Sequence, residues 1–140
     1  MSDHFYPCIW LKGNIKPIAE FYCSIFEGAR ILSENPFVIT LKILDQKLML
    51  MNGAEHCHPN ESFSLVITCK DQHEIDYYWA KLSLNGEEGK CGWLKDQYGV
   101  SWQVVPSILG ELMKNQDKAP KALYALMQMR KIDLKKLITD

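Results

Sequence analysis

The sequence predicts an α+β fold in which a β-α-β-β-β module occurs twice and is followed by a helical tail. Two stretches, residues 45–52 (DQKLMLMN) and 96–105 (DQYGVSWQVV), each join an Asp-Gln turn to an alternating apolar run. Such a run after a turn predicts the hairpin entry to a half-buried strand. A shift of 57 positions also carries the candidate helix cap Asn14 onto Asp71 and aligns the apolar stripes that follow. Because turns, caps and stripes agree, we interpret the two halves as copies of one module.

The first module is predicted to contain a strand, a helix and three further strands. Asn14 is a good helix N-cap, and Pro17 is tolerated in the first helical turn. An apolar stripe at helical spacing follows, and Gly28 ends the helix. The predicted strands are residues 5–11, 30–33, 37–44 and 47–51. Module one therefore spans residues 5–52.

A polar, turn-rich linker at residues 53–61 leads into module two, residues 62–106. Its helix begins at Asp71 with Glu74 three positions later, which is a capping-box arrangement. Residues 107–140 form a helical tail outside the repeat. We expect this tail either to cover a sheet edge or to pack on a second subunit. The whole chain, residues 1–140, is predicted to form a single domain.

Composition excludes several classes of function. With a net charge of −1 across 140 residues, the chain offers no basic patch for a nucleic-acid backbone. No apolar run approaches the roughly 18 residues that span a bilayer, and the first residues lack a signal-peptide pattern. The five cysteines are scattered and odd in number, which favours reduced thiols. We therefore expect a cytoplasmic protein without nucleic-acid or membrane partners.

Several motifs resemble one protein family. The most specific is CGWLKDQYGVSWQVVP at residues 91–106. The others are Trp10 with Gly13-Asn14, Glu20-Phe21-Tyr22, Ile25-Phe26, Asn52-Gly53, Ser64 and Asp76-Tyr77-Tyr78-Trp79. With these motifs the chain resembles the PhnB-like branch of the vicinal oxygen chelate superfamily (glyoxalase I, bleomycin-resistance and extradiol dioxygenase proteins), often labelled 3-demethylubiquinone 3-methyltransferase-like. The resemblance implies paired β-α-β-β-β modules that form an open, barrel-like sheet with a concave face, usually in a homodimer.

The resemblance also implies four positions at which metal-dependent relatives bind one divalent ion. The repeat register carries these positions onto Pro7, Met51, Ser64 and Gln103. Proline has no side-chain donor, a thioether is soft, and a serine hydroxyl is a weak neutral ligand, so that Gln103 alone is a plausible oxygen ligand. We therefore expect the family's metal to be absent and no cofactor to be needed.

Alternation along the strands extends these four positions to a whole pocket-lining face. Beside the four, we expect that face to carry Ile9, Met49, Ser62, Val66 and Ser101. Trp10, Leu48 and Leu50 would then face the helices, as would Ile67, Trp102 and Val104 in module two. An apolar wall opposite a hydroxyl-rich wall suits a small, mostly uncharged ligand.

Other functions and sites stay open at this stage. A lyase, isomerase or dioxygenase with an unusual metal site is one alternative, and a methyltransferase is the other. Residues 55–58 (EHCH) are more typical of a solvated linker than of a metal site, and the glycines at 86–92 do not form a phosphate-binding loop. Cys91 is expected to be packed rather than reactive. Lys95-Asp96 most simply sets a hairpin, although the lysine could instead bind an anion.

Overall fold

The computed structural model describes residues 4–138 and divides the chain into two compact units, Met1–Pro59 and Asn60–Asp140. The boundary between the units falls inside the polar segment 53–61. Within the described residues, no helix is long and apolar enough to cross a membrane.

The first unit is a four-stranded sheet with one helix on one side. Its elements are β1 (Cys8–Lys12), α1 (Lys16–Ile25), β2 (Arg30–Glu34), β3 (Val38–Ile43) and β4 (Gln46–Gly53), and the strand order is β1-β4-β3-β2. The β1 and β4 strands are parallel, whereas the other pairs are antiparallel. Asn14 accepts a hydrogen bond from the backbone N–H of Lys16 at the start of α1, close to its predicted capping role.

The second unit repeats this architecture. Its elements are β5 (Ser64–Cys69), α2 (Gln72–Ser83), β6 (Glu87–Glu88), β7 (Trp93–Lys95) and β8 (Ser101–Pro106), in the sheet order β5-β8-β7-β6. The predicted helix cap at Asp71 is present, because the Asp71 carboxylate accepts the Glu74 N–H at 2.9 Å. The Glu74 carboxylate accepts the N–H of Lys70, one residue before the cap, at 2.8 Å, whereas a capping box would use the Asp71 N–H. The predicted α+β class with paired β-α-β-β-β modules is therefore confirmed.

The two helices bury equivalent residues. In α1 the buried side chains include Ile18, Tyr22 and Ile25. A shift of 57 positions carries these three onto the buried residues of α2, which are Ile75, Trp79 and Leu82. Each stripe packs on the sheet of its own unit, so the helical part of the predicted repeat is correct to the residue.

The tail packs on the second unit and contains α3 (Leu109–Lys114), α4 (Ala119–Leu126) and α5 (Leu134–Ile138). It surrounds Val105 of β8 with a buried cluster of Ala122, Met129, Ile132 and Leu137. Backbone hydrogen bonds from Cys91 N–H to Met129 O (2.8 Å) and from Gly92 N–H to Arg130 O (2.9 Å) fix it beside the start of β7. A side chain on Gly92 would meet Ile132 at 2.9 Å, so glycine permits this close approach. The tail therefore packs on its own unit, around the inner strand β8 and not at the predicted sheet edge. Its packing on a second subunit stays a prediction.

Candidate functional site

Each sheet has a face that packs on its helix and an opposite face, which we call the open face. Register identifies the two faces in the first sheet, because residues paired across neighbouring strands point to the same side. Ile9, Leu50 and Ile39 are paired and buried, and they face α1. Trp10, Met51 and Val38 are paired on the open face, where Trp10 is 51% exposed.

The register corrects the prediction for the first strand. Ile9 was expected to line the open face, but it is 7% exposed and lies on the helix side with Leu11. Pro7 precedes the strand, and its carbonyl oxygen accepts the Met49 N–H at 3.0 Å. It lies two residues before Ile9, so alternation along the backbone assigns it to the same side as Ile9. Trp10 was expected to meet the helix and lies on the open face instead. The assignments of Pro7, Ile9 and Trp10 to faces were therefore wrong.

The cause is one additional residue between strand and helix in the first unit. The last buried, helix-facing strand residue is Leu11 in β1 and Cys69 in β5, which are 58 positions apart, whereas the helices match at a shift of 57. Gly13, with a φ of 87°, lies in this longer connection. A one-residue slip moves every side chain of a strand to the other face. On the corrected register, Tyr6 rather than Pro7 matches Ser64.

The predicted alignment of the last strand of each unit, β4 with β8, is also wrong, by two residues. Ile9 pairs with Leu50 in the first sheet, and its counterpart Ile67 pairs with Val104 in the second. Gln103 therefore corresponds to Met49 rather than to Met51, although both methionines lie on the open face. The two Asp-Gln turns are not equivalent either, because β3 and β4 are joined by two residues, whereas five residues join β7 to β8.

In the second sheet the pairing of β5 with β8 brings four of the predicted pocket residues to one face. Ser64 pairs with Ser101 and Val66 with Gln103, which places all four on one side. The Gln103 amide donates a hydrogen bond to the Ser64 hydroxyl at 2.9 Å. This bond does not use the Ser64 hydroxyl proton, the Gln103 carbonyl oxygen or the second amide hydrogen. Ser62 lies before β5 in a turn, where its N–H donates to Asn60, and its side chain is exposed.

Sequence reasoning missed two residues of this face. Trp93 pairs with Gln103, and Lys95 pairs with Ser101, so both side chains share the open face. Both are half-buried. Their strand contains three residues, too few for alternation alone to assign a side. These two residues could have been assigned to this face by pairing their strand antiparallel to β8 across the predicted turn at Asp96.

Asp96 is a structural carboxylate beside this face. It is 3% exposed and accepts hydrogen bonds from the N–H groups of Tyr98 (2.9 Å) and Val100 (3.1 Å) and from the Trp102 indole (2.9 Å). These bonds satisfy the buried charge and close the loop between β7 and β8. The predicted hairpin role of Asp96 is therefore confirmed.

The donor set does not fit a divalent metal ion. Among the described residues, the first and last strands of the two units, β1, β4, β5 and β8, place no histidine, aspartate or glutamate on an open face. No group of three or more such residues or cysteines within positions 4–138 could hold a metal ion. In the segment 55–58, Glu55 pairs with Lys12 at 2.9 Å, His56 lies edge-on to Trp10, and Cys57 is buried.

The five cysteines are free thiols. Burial, reinforced by Glu74 and Asp71, raises the pKa of Cys69 to about 12. Burial also raises the pKa of Cys8 on the open face of the first sheet. Because the thiolate is the reactive form, these two thiols are poorly suited to covalent catalysis.

Comparison with known proteins identifies both family and fold. A family model described as 3-demethylubiquinone-9 3-methyltransferase matches residues 3–105. The PhnB protein of Bacillus cereus has a similar structure, with a TM-score of 0.68, 24% identity, and coverage of 75% of this chain and 100% of that chain. A comparison with curated proteins finds no match.

Two other crystal structures share the fold at lower identity. The fosfomycin resistance protein FosX of Listeria monocytogenes, solved with Mn(II) and a sulfate ion, has a TM-score of 0.62 at 14% identity and covers 81% of this chain and 97% of its own. A glyoxalase-related enzyme of Fulvimarina pelagi has a TM-score of 0.56 at 11% identity, with coverage of 77% and 91%. At these identities the likeness describes the fold.

Proposed function

The chain belongs to the family described as 3-demethylubiquinone-9 3-methyltransferase, as a PhnB-like member of the vicinal oxygen chelate superfamily, and we propose that it binds a small, mostly uncharged molecule. The binding surface is the open face of the second sheet. Binding there uses hydrogen bonds and apolar contact, without a divalent metal. The proposal assigns no reaction.

The observation that carries this proposal is the hydrogen-bonded pair of Gln103 and Ser64 between apolar neighbours. The amide and hydroxyl are 2.9 Å apart on adjacent strands. Val66, 55% exposed, pairs with Gln103 on one side, and Trp93 pairs with it on the other. Small-molecule sites typically combine an apolar lining with a few fixed polar groups. The mutual hydrogen bond fixes both polar side chains before a ligand arrives, which lowers the entropic cost of binding.

Metal-independent binding follows from the chemistry of the donors. Divalent ions of the borderline and hard classes are held by imidazole, carboxylate or several oxygen ligands. The first and last strands of the two units offer an amide, hydroxyls, thioethers and a thiol on their open faces instead. The structurally similar FosX was solved with Mn(II), which makes metal-dependent chemistry the second candidate to test.

The family description makes methyl transfer the third candidate. Glycine-rich methyl-donor and dinucleotide sites follow a strand and precede a helix. In this chain, Gly86, Gly89 and Gly92 follow α2 and lie around the short strands β6 and β7. The arrangement therefore gives methyl transfer no local support.

Binding can be tested by two-dimensional ¹H–¹⁵N NMR on the full chain with a library of neutral, partly aromatic fragments. We expect fragments to shift the side-chain amide of Gln103 and the indole of Trp93. Gln103→Leu should weaken these fragments about two- to tenfold, because a neutral hydrogen bond contributes about 0.5–1.5 kcal/mol. Gln97→Leu, at an exposed loop position, is the matched control and should leave affinity unchanged. Fragments that bind without shifting either group would contradict the proposed surface.

The two alternatives need separate measurements. Protein prepared without an affinity tag and dialysed against chelator is offered manganese, iron, nickel or zinc, and bound metal is then quantified. Saturable uptake of one ion per chain would support a metal-dependent enzyme against our proposal. A thermal-shift titration with S-adenosylmethionine tests methyl transfer, since a bound ligand stabilises the folded state by mass action.

We propose further that the protein acts as a homodimer in the cytoplasm. The dimer is supported by the family membership, and the cytoplasm by five cysteines that are scattered and odd in number, a pattern typical of reduced thiols. Light scattering coupled to size-exclusion chromatography tests the dimer directly. A monomer across the micromolar range would contradict it.

A further inference from the structure

We propose that the molecule bound by the second unit carries one carboxylate and that Lys95 and Ser101 receive it. This inference rests on the proposed function, since it specifies a chemical group on the ligand of the same face. The molecule keeps a largely uncharged body and has a single anionic end.

Three hydrogen-bond donors lie in one row across the sheet. Lys95 of β7 pairs with Ser101 of β8, which pairs in turn with Ser64 of β5. Because directly paired residues share a face, an ammonium group and two hydroxyls project side by side from the open face. One positive charge flanked by hydroxyl donors matches the single charge and two oxygens of a carboxylate.

The Ser101 hydroxyl points independently to a missing acceptor. Ser101 is 1% exposed, and its Oγ has no hydrogen-bond partner among the described residues. A buried polar group left without a partner costs about 1–3 kcal/mol. A ligand oxygen that reaches this hydroxyl would remove that cost. Since Ser101 is covered, binding requires the neighbouring Lys95 side chain or another covering group to move aside.

Glu61 already pairs with Lys95, one of the two groups proposed to receive the ligand carboxylate. Its carboxylate lies 3.3 Å from the Lys95 ammonium, and the two side chains are 71% and 40% exposed. The backbone N–H of Glu61 and the Lys95 ammonium lower the pKa of this carboxyl, which is therefore ionised at neutral pH. Both side chains are substantially exposed and solvent weakens their attraction, so a carboxylate that also reaches Ser101 can displace Glu61 from Lys95.

The position of Trp93 indicates the chemistry of the uncharged part of the ligand. It lies two residues before Lys95 on the same face and pairs with Gln103. A ligand whose carboxylate reaches Lys95 and Ser101 therefore extends its other end over the indole and towards Gln103. An aromatic ring suits contact with the indole, because aromatic pairs contribute beyond the apolar area they bury. The favoured class is a small aromatic carboxylate.

The test compares carboxylates with the primary amides of the same shape. Benzoate, phenylacetate and indole-3-acetate are titrated against benzamide, phenylacetamide and indole-3-acetamide, with the full chain followed by ¹H–¹⁵N NMR. We expect each carboxylate to bind at least about tenfold more tightly than its amide, because hydrogen bonds to charged groups contribute about 1.5–3 kcal/mol. Lys95→Met should remove this preference and leave amide affinity unchanged. Lys121→Met, at an exposed position of α4, should preserve the preference.

Glu61→Gln distinguishes competition between Glu61 and the ligand for Lys95 from a purely structural role of Glu61. Loss of the competing carboxylate should strengthen carboxylate binding and leave amide binding as it was. Ser101→Ala should weaken carboxylates severalfold without loss of folding, because it deletes a hydroxyl that has no partner in the protein. Equal affinity for carboxylates and amides would overturn this inference while leaving the proposed function intact. If no member of any pair binds, the carboxylate inference fails, and the neutral-fragment screen decides the proposed function separately.

Discussion

The two sheets share their topology and differ in their open faces. On the helix side they are alike, with Leu50 of the first and Val104 of the second both 0% exposed beneath matching helical stripes. On the open side the first sheet presents Trp10, Met49 and Met51, whereas the second presents Ser64, Ser101 and Gln103. The helix-side pattern is what the repeat preserves, because it forms the core of each unit.

This difference separates residues that maintain the fold from residues that are free to define a site. Apart from Val105, which the tail covers, an open-face side chain is not part of the helix-side core of its unit, so it can change from thioether to amide without loss of the architecture.

The largest effect should separate neighbouring residues of β4. Leu50→Ala removes a fully buried helix-side residue and should cost about 2–5 kcal/mol of unfolding free energy. Met49→Ala, at a half-buried open-face position, should cost about 1 kcal/mol or less. Urea unfolding followed by circular dichroism measures both. Equal costs would show that the open face of the first sheet is as much a part of the core as the helix side.

An intermediate effect should separate the two Asp-Gln turns. Asp96→Asn replaces a buried carboxylate with three donors around it, and a buried donor left unpaired costs about 1–3 kcal/mol. Asp45→Asn changes an exposed residue of a two-residue turn and should fall within about 0.5 kcal/mol of the parent protein. The same urea titration compares them. A similar cost at Asp45 would mean that the turns are equivalent after all.

The smallest effect on stability should come from an ion pair between the tail and α2. Among the described residues, the first unit has no counterpart of this tail. The Lys131 ammonium of the tail lies 2.8 Å from Asp76 of α2. Lys131 first, and then Gln72, lowers the pKa of the Asp76 carboxyl from its ordinary 3.8. A lowered folded-state pKa stabilises the fold above the ordinary value, and that stability is lost as the pH falls through the folded pKa. The effect is small because both side chains are substantially exposed.

Thermal unfolding between pH 7 and pH 2 tests this linkage. The parent protein should be slightly more stable than Asp76→Asn at pH 7, and the difference should vanish as the pH falls below 3.8. Asp117→Asn, at an exposed tail position, serves as the control without this linkage. A difference between parent and Asp76→Asn that persists at the lowest pH would show that Asp76 acts through packing instead of charge.

Sequence patterns predicted the buried side of the helices correctly and that of the first strand wrongly, because side chains repeat every 3.6 residues in a helix and every two residues in a strand. The stripe that includes Ile18 and Tyr22 was predicted to the residue, because a helical stripe is broad and tolerates a small error of alignment. The same shift applied to the first strand placed Ile9 and Trp10 on the wrong faces. A strand alternates with a period of two, so a loop longer by one residue inverts the whole assignment. Neither the extra residue nor its effect can be seen without the pairing partner.

Local patterns in the sequence were enough to predict the duplicated β-α-β-β-β architecture, the helix cap at Asp71 and the hydroxyl-bearing strand that contains Ser64, whereas the cap of α1 is Ile15, one residue after the predicted Asn14. These features depend on patterns that are local in the chain. Tertiary structure alone decided which side of the first sheet Trp10 occupies, how the tail closes over Val105, and that Lys95 lies beside Ser101. The reason is physical: these outcomes depend on hydrogen-bond register between strands distant in sequence, and register is a property of pairs of strands.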